Sequence, residues 1–217
     1  SWTRHGGPSG ELAGVANFPI GGRSAVRLVG YAISEGGYID NPRLDEADVN
    51  RTDIAGGRAV LLAPLSSEWT LETGLAVQSI RGRDSQYAVR SEPPLTRQSP
   101  LRQPFSSRYG IAHAAVRGGW GAYRLAAIVS VVGHHLSEDF DATVLGPDAK
   151  LFRQRNRLHM IAAEARLTRE RENGEGVLAG VSLVRNRTRL DRLEGSPGAL
   201  EPLPGVTNRL DEQTAFF

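Results

Sequence analysis

The chain has no cysteine among its 217 residues, which excludes disulfide bonds and thiolate metal sites and leaves the cellular compartment open. Long apolar runs are also absent. The best run, residues 125–133, falls well short of the ~18 apolar residues expected of a transmembrane helix. The formal net charge is only +2, so composition implies no nucleic acid as a partner. Membrane strands stay open as an alternative, because each carries only about ten residues of alternating polarity.

Motifs of the common catalytic and phosphate-binding sites are missing as well. The sequence contains no Gly-x-Ser-x-Gly elbow, no His-Glu-x-x-His pair and no P-loop. Serine, histidine and aspartate are present, but His113 and His159 fall on predicted strands without an evident partner. We therefore expect no enzyme and no cofactor. An outer-membrane barrel enzyme, such as a protease or lipase, is kept as a rival hypothesis.

The chain contains a regular series of predicted strands and connections. Residues 23–31 and 57–63 read as strands, and between them a Gly-Gly pair and an Asp-Asn-Pro sequence reverse the chain, since glycine accepts positive φ and Asx side chains bond nearby backbone. Similar units follow to the end of the sequence. The predicted connections alternate long and short, at residues 34–55, 64–68, 82–107, 117–121, 134–152, 170–175 and 188–212.

This alternation predicts the fold class. In an up-and-down sheet, successive connections lie at opposite ends, so one rim carries tight turns and the other long loops, as in outer-membrane barrels. The sequence thus predicts an all-β fold: a partial antiparallel up-and-down transmembrane β-barrel, with about eight to nine strands of a larger barrel. A soluble β-sandwich is the alternative. Residues 160–163 alone also fit a helix, and Asn173-Gly174 predicts a tight turn.

The faces of the predicted strands differ in chemistry. Alternate positions in residues 125–131 and 177–183 are aliphatic or alanine and carry no charge. The opposite faces hold charged residues that we expect to face a watery lumen. These residues are Arg27, Glu72, Arg124, Glu164 and Arg166. Three aromatic residues, Trp69, Trp120 and Tyr123, fall at or beside short turns, where one aromatic girdle of a barrel is expected.

Several segments together resemble the barrel of TonB-dependent outer-membrane receptors. The resemblance lies in residues 25–31, in Gly-Gly-Tyr-Ile-Asp-Asn at 36–41, in Asp-Val-Asn at 48–50 and in Gly-Arg-Ala at 57–59. Glu-Ala-Arg-Leu at 164–167, followed by residues 177–181, is similar to a later hairpin of the same family, and Asn-Phe-Pro-Ile at 17–20 is similar to the step before the barrel.

The resemblance implies a 22-stranded barrel with an N-terminal plug, in the outer membrane of a bacterium. It further implies import of a scarce nutrient, such as an iron–siderophore complex, with energy passed from TonB through the plug. The chain departs from the family in having no plug, no TonB box and no final strand ending in an aromatic residue. We therefore expect residues 1–217 to be part of a single β-barrel domain, in contact with outer-membrane lipid and a small-molecule ligand.

Ligand-binding residues are predicted in the long connections. Tyr38, Asp40, Asn41, His134 and His135 are the candidates, because outer loops would meet a ligand such as a metal chelate first. The histidines lie near carboxylates and could bind zinc or iron, but adjacent histidines on an extended chain point apart. The acidic residues of the first long connection suggest calcium, although ordinary turn roles explain them as well. No resident metal site is predicted.

Overall fold

The computed structural model describes residues 5–144, 148–170 and 176–217. The described residues form nine strands, each antiparallel to its neighbours in sequence, in one sheet of order β1 to β9. The strands are β1 Gly10–Gly21, β2 Ser24–Glu35, β3 Thr52–Pro64, β4 Thr70–Gly82, β5 Phe105–Trp120, β6 Tyr123–Asp141, β7 Leu151–Glu170, β8 Gly176–Ser196 and β9 Ala199–Phe216. A 3-10 helix, Pro42–Leu44, lies between β2 and β3. The all-β, up-and-down prediction is confirmed, and the sheet is open.

The connections lie at the two ends of the sheet as predicted, but two of the long ones are shorter than expected. Residues 36–51, 83–104, 142–144 and 148–150 lie at one end, here called the long-loop end. The predicted loop at 134–152 is wrong in its first half, because β6 continues to Asp141. The predicted loop at 188–212 is wrong throughout most of its length, because β8 and β9 meet in a turn at residues 197–198.

The prolines of residues 188–212 explain why β9 was predicted as a loop. Pro202 and Pro204 both lie on this strand, which pairs only with β8 among the described residues. A proline lacks the backbone N–H, and an edge strand tolerates this because one side of its backbone needs no strand partner. The pairing shifts register between Leu190 and Arg192, and Arg192 donates to the Pro204 carbonyl at 2.6 Å. Residues 213–216 therefore belong to β9 and continue residues 199–212 without a break.

The register separates the side chains into an apolar face and a polar face. On the apolar face, β4 presents Leu71, Thr73, Leu75 and Val77. The band continues on neighbouring strands through Leu28, Ala59, Leu61, Ala112, Ala114, Val129, Val131, Ile161, Ala163, Val181 and Leu183. None of these band residues is charged, and many are about half exposed, such as Val181 at 57%.

On β4 and over residues 181–190 of β8 the polar face is less exposed than the apolar face, whereas on β6 the order reverses between Tyr123 and Ile128. No second sheet covers either face in the described part of the chain. Along β8 the exposure alternates residue by residue: Val181, Leu183 and Arg185 on the apolar face are exposed, and Ser182 and Val184 on the polar face are partly buried. Side chains splay apart on a convex surface and crowd on a concave one. The alternation indicates that the polar face is the concave side.

Aromatic side chains cluster on the apolar face at the short-turn end. The ring of Trp120 stacks on Trp69, with centroids 6.1 Å apart, and on Tyr123, at 5.8 Å. The guanidinium of Arg169 lies 5.5 Å from the Tyr123 ring. Residues 64–69 and 120–123 thus form one aromatic edge below the uncharged band.

Two predictions concern residues 160–175. Residues 160–163, which also fitted a helix, lie in β7. The Asn173-Gly174 turn lies outside the described residues. In the described part of the chain, no helix is long and apolar enough to cross a membrane.

Candidate functional site

The first long loop, residues 36–51, folds around one asparagine side chain. Asn50 Oδ1 accepts hydrogen bonds from the backbone N–H groups of Tyr38, at 2.7 Å, and Ile39, at 2.8 Å. The Val49 N–H donates to the Ile39 carbonyl at 2.7 Å, and both of these apolar side chains are buried. An Asx side chain that satisfies two backbone donors fixes an irregular segment. The loop therefore has a small core of its own.

The glycine pair in this loop serves close packing. A Cβ on Gly36 would lie 2.1 Å from the Gly7 carbonyl oxygen, and one on Gly37 would lie 2.0 Å from the Asp48 carbonyl oxygen. The prediction that these glycines adopt positive φ is wrong, since that conformation occurs instead at Asp45 and Asp48 in the same loop. Glycine is needed here because two backbone segments touch.

The second long loop, residues 83–104, docks on the first. The backbone N–H of Asp40 donates to the Leu95 carbonyl, and the N–H of Arg97 donates to the Asp40 carbonyl, both at 2.9 Å. Asn41 Nδ2 donates to the Ser99 carbonyl at 2.9 Å. These bonds join the two loops into one unit, here called the loop cap, at the long-loop end of β2 to β5.

A buried ion pair holds the centre of the loop cap. Arg97 Nη2 lies 2.5 Å from Asp84 Oδ2, and the two side chains are only 2% and 1% exposed. The other Asp84 oxygen accepts from the backbone N–H groups of Ser85, at 2.8 Å, and Gln103, at 2.7 Å. The Arg97 guanidinium also lies 4.9 Å from the centre of the Tyr87 ring. The two charges thus neutralise each other, and Asp84 Oδ1 is hydrogen-bonded, whereas Arg97 Nε is buried without a hydrogen-bond partner among the described residues.

Sequence reasoning missed this pair entirely. Asp84 and Arg97 both lie in an irregular polar segment, where spacing along the chain does not encode proximity. A patterned signal exists on strands, because side chains alternate between faces. In a loop no such period applies, so the contact becomes visible only when the backbone path is known.

A second ion pair joins the loops at the surface, between Glu46 and Arg102. The hydrogen bond from Arg102 lowers the pKa of Glu46, and the same bond raises the pKa of Arg102. A polar cavity of about 640 Å³ lies beside the pair, and its lining includes Asp48, Arg83 and Asp84. A cavity with charged groups of both signs, open between two docked loops, can accept a polar solute.

The predicted ligand-binding residues of the first loop differ in accessibility. Tyr38 is 38% exposed and Asp40 is also exposed, although Asp40 Oδ1 accepts from the Asp48 N–H at 3.0 Å. Asn41 is 0% exposed and its amide is committed to loop docking. A ligand would reach Asn41 only after the two loops separate. Tyr38 and Asp40 are therefore the more accessible of the three candidates.

The predicted loop position of His134 and His135 is wrong, because both lie within β6. They point to opposite faces, as alternation requires. His134 Nε2 lies 2.9 Å from Ser107 Oγ on the polar face, and the His135 ring lies 5.9 Å from the His159 ring on the apolar face. The structure does not bring the two histidines together with the three first-loop candidates in one site.

The carboxylates near these histidines are engaged elsewhere. Both oxygens of Asp139 accept from Arg153 at 2.6 Å, Glu138 accepts from Gln154 at 2.6 Å, and Asp141 accepts from the Ser99 hydroxyl at 2.6 Å. Among the described residues, no group of three histidine, aspartate or glutamate side chains is arranged to hold a metal ion.

The five charged residues predicted to face a lumen all lie on the polar face. The register of β2 to β7 gives Arg27, Glu72, Arg124, Glu164 and Arg166 this common orientation. Glu72 lies 3.4 Å from His113 and 3.7 Å from Arg117, and Glu164 pairs with Arg166. A groove of about 850 Å³ crosses β4 to β9 on the other side of the sheet, lined mainly by alanine and aliphatic residues of the apolar face.

The Ser107–His134 pair resembles the start of a hydrolytic site. A nucleophile needs a base, a group that orients the base and donors for an oxyanion. The described residues provide no carboxylate bonded to His134, and the backbone around Ser107 lies in a paired ladder on both sides. Among the described residues, these two side chains therefore do not make up a complete hydrolytic site.

Comparison with known proteins adds no assignment. No protein-family model matches the chain, and no curated protein matches its sequence. The functional conclusion must therefore come from the sheet and the loop cap.

Proposed function

We propose that this chain is part of a β-barrel receptor in a bacterial outer membrane, in which the sheet contacts lipid and the loop cap captures a solute. The observation that carries the proposal is the uncharged, uncovered band on the apolar face. In a soluble β-sandwich a second sheet would bury such a band. The described residues form a single sheet, which favours lipid as the covering medium.

The height of the band on β6 supports the same conclusion, although on β8 the uncharged stretch ends earlier, at Leu183, because Arg185 lies opposite Ile161. On β6 the apolar face carries only uncharged residues from Tyr123, at the aromatic edge, up to the histidine at position 135. At about 3.3 Å per residue this stretch measures roughly 40 Å along the strand. A strand tilt of about 40° reduces the height to roughly 30 Å. That value matches the ~30 Å hydrocarbon core of a bilayer.

The free edges of the sheet favour a larger barrel. Strands β1 and β9 each pair with one neighbour in the described part of the chain, and both are exposed along most of their length. Unpaired backbone groups cannot be left in lipid, so a membrane sheet must close. We infer that further strands pair with both edges in the working receptor.

The polar face and the loop cap favour transport over catalysis. The concave face carries charged groups such as Glu72, Glu164 and Arg166, which suit a watery passage. The exposed residues Tyr38 and Asp40 lie at the long-loop end, where a solute arriving from outside would first meet the protein. Together with the resemblance to TonB-dependent receptors, this supports import of a scarce nutrient such as an iron–siderophore complex, driven by TonB.

The test is nutrient uptake by the source bacterium. A strain lacking the protein should lose energy-dependent uptake of one scarce nutrient, such as an iron chelate, under limitation. A Tyr38→Ala/Asp40→Asn variant should reduce that uptake while its amount in the outer membrane stays normal. Arg43→Gln, an exposed change in the same loop, is the matched control. Normal uptake of all candidate nutrients in the deletion strain would refute the proposal.

A further inference from the structure

Above the uncharged band, the apolar face becomes cationic. The register aligns Arg108 of β5, His135 of β6 and Arg157 of β7 in one row across the sheet. One row nearer the band, His159 of β7 aligns with Arg187 of β8. All five side chains are exposed. The change from uncharged to cationic occurs within one or two rows.

Three of the strands form a groove at this position. The groove has a volume of about 600 Å³, and its lining includes Arg108, His135, Arg155, Arg157 and His159. Its other lining residues are uncharged, so the groove presents three guanidinium groups with no carboxylate among them. Like charges in one groove repel one another, and an anionic partner relieves that repulsion.

Carboxylates elsewhere on this face already have partners. Asp191 accepts from Arg189 at 2.8 Å, and Asp211 accepts from Arg185 at 2.8 Å and from Arg209 at 2.7 Å. These pairs lie on β8 and β9, beside the groove. Within the described ranges, no carboxylate lies at ion-pair distance from Arg108, Arg155 or Arg157, which leaves the three guanidinium groups free for an external anion.

We propose that this cationic groove binds the phosphate groups of lipid headgroups at the membrane surface. Guanidinium groups bind phosphate with paired hydrogen bonds. The groove lies on the same face as the uncharged band and directly beyond its edge, where the headgroups of lipids covering the band would lie. A binding site for a dissolved anion would not need to lie on the same face as the uncharged band. The inference rests on the proposed membrane function and specifies the lipid that the receptor prefers.

The test compares two variants that each remove two positive charges. Arg108→Gln/Arg157→Gln changes the groove, and Arg27→Gln/Arg58→Gln changes the polar face. The complete receptor that contains this chain is reconstituted in phosphatidylcholine vesicles, and insertion is first verified by protection from protease. Association of a spin-labelled phosphatidic acid is then measured against a spin-labelled diacylglycerol, which lacks the phosphate. Each arginine near an anionic membrane contributes roughly fivefold, so the groove variant should lose about 25-fold in preference for phosphatidic acid.

Each outcome decides the inference. Loss in the groove variant with little change in the polar-face variant supports it. Equal loss in both variants, or an inserted wild-type chain without preference for phosphatidic acid, overturns it and leaves the membrane function standing. Displacement of the labelled lipid by millimolar inorganic phosphate would assign the groove to free anions instead. Failure of the complete wild-type receptor to insert overturns the membrane function and this inference with it.

Discussion

Replacing Arg97 with methionine should open the loop cap. The change removes the 2.5 Å ion pair with Asp84 and leaves that carboxylate buried at 1% exposure with two backbone donors. Breaking one side of a buried pair costs about 3–5 kcal/mol. The cap is separate from the sheet ladder, so the loss should appear as local opening. Exchange of the Asp40 and Arg97 amide hydrogens, which join the loops, should accelerate roughly 10²- to 10³-fold.

Two controls separate the buried pair from general charge loss. Glu46→Gln breaks the exposed pair with Arg102 and should accelerate the same amides less than about fivefold. The double change Asp84→Leu/Arg97→Met removes both charges and should recover most of the protection, because an apolar pair of similar volume can replace a buried ion pair. The reasoning is refuted if Arg97→Met accelerates exchange no more than Glu46→Gln does.

Two further predictions concern the same loops. The pKa of Glu46 is lowered by Arg102, so this contact stabilises the docked loops above the ordinary carboxyl pKa of about 4.5 and is lost as the pH falls through the lowered value. A carbon-13 titration should show the Glu46 pKa rising in Arg102→Gln, and an unchanged pKa would contradict the assignment. Gly36→Ala should cost about 1–3 kcal/mol by crowding the Gly7 carbonyl. Faster exchange of the Gly7 amide should report it, whereas Gly30→Ala, with open space at its Cβ, should leave it unchanged.

The sheet was predictable where its strands cross the uncharged band. Alternation at residues 125–131 and 177–183 marks two faces, and the register confirms that the charged residues opposite share one orientation. The prediction failed where strands extend beyond the band. Residues 185–189 carry polar or charged side chains on both faces, so alternation of hydrophobicity vanishes and the sequence reads as a loop. The same reason placed His134 and His135 in a connection.

The loop cap was predictable in its turn residues and not in its contacts. Asx residues such as Asn50 signal local backbone bonding, and the structure shows this role. The docking of residues 83–104 on residues 36–51 depends on hydrogen bonds between segments with no periodic pattern. The sequence therefore predicted Asn41 as a ligand contact, whereas in the structure its side chain is buried between the loops.

The central claim is that the apolar face meets lipid and the polar face meets water. The absence of cysteine allows a direct measurement, because single cysteines at Val131 and Val132 can carry spin labels on opposite faces of β6. In a lipid-reconstituted receptor, the label at Val131 should collide mainly with oxygen and the label at Val132 mainly with a water-soluble nickel complex. Shielding of Val131 from both reagents would show that protein covers the apolar face and would contradict the account.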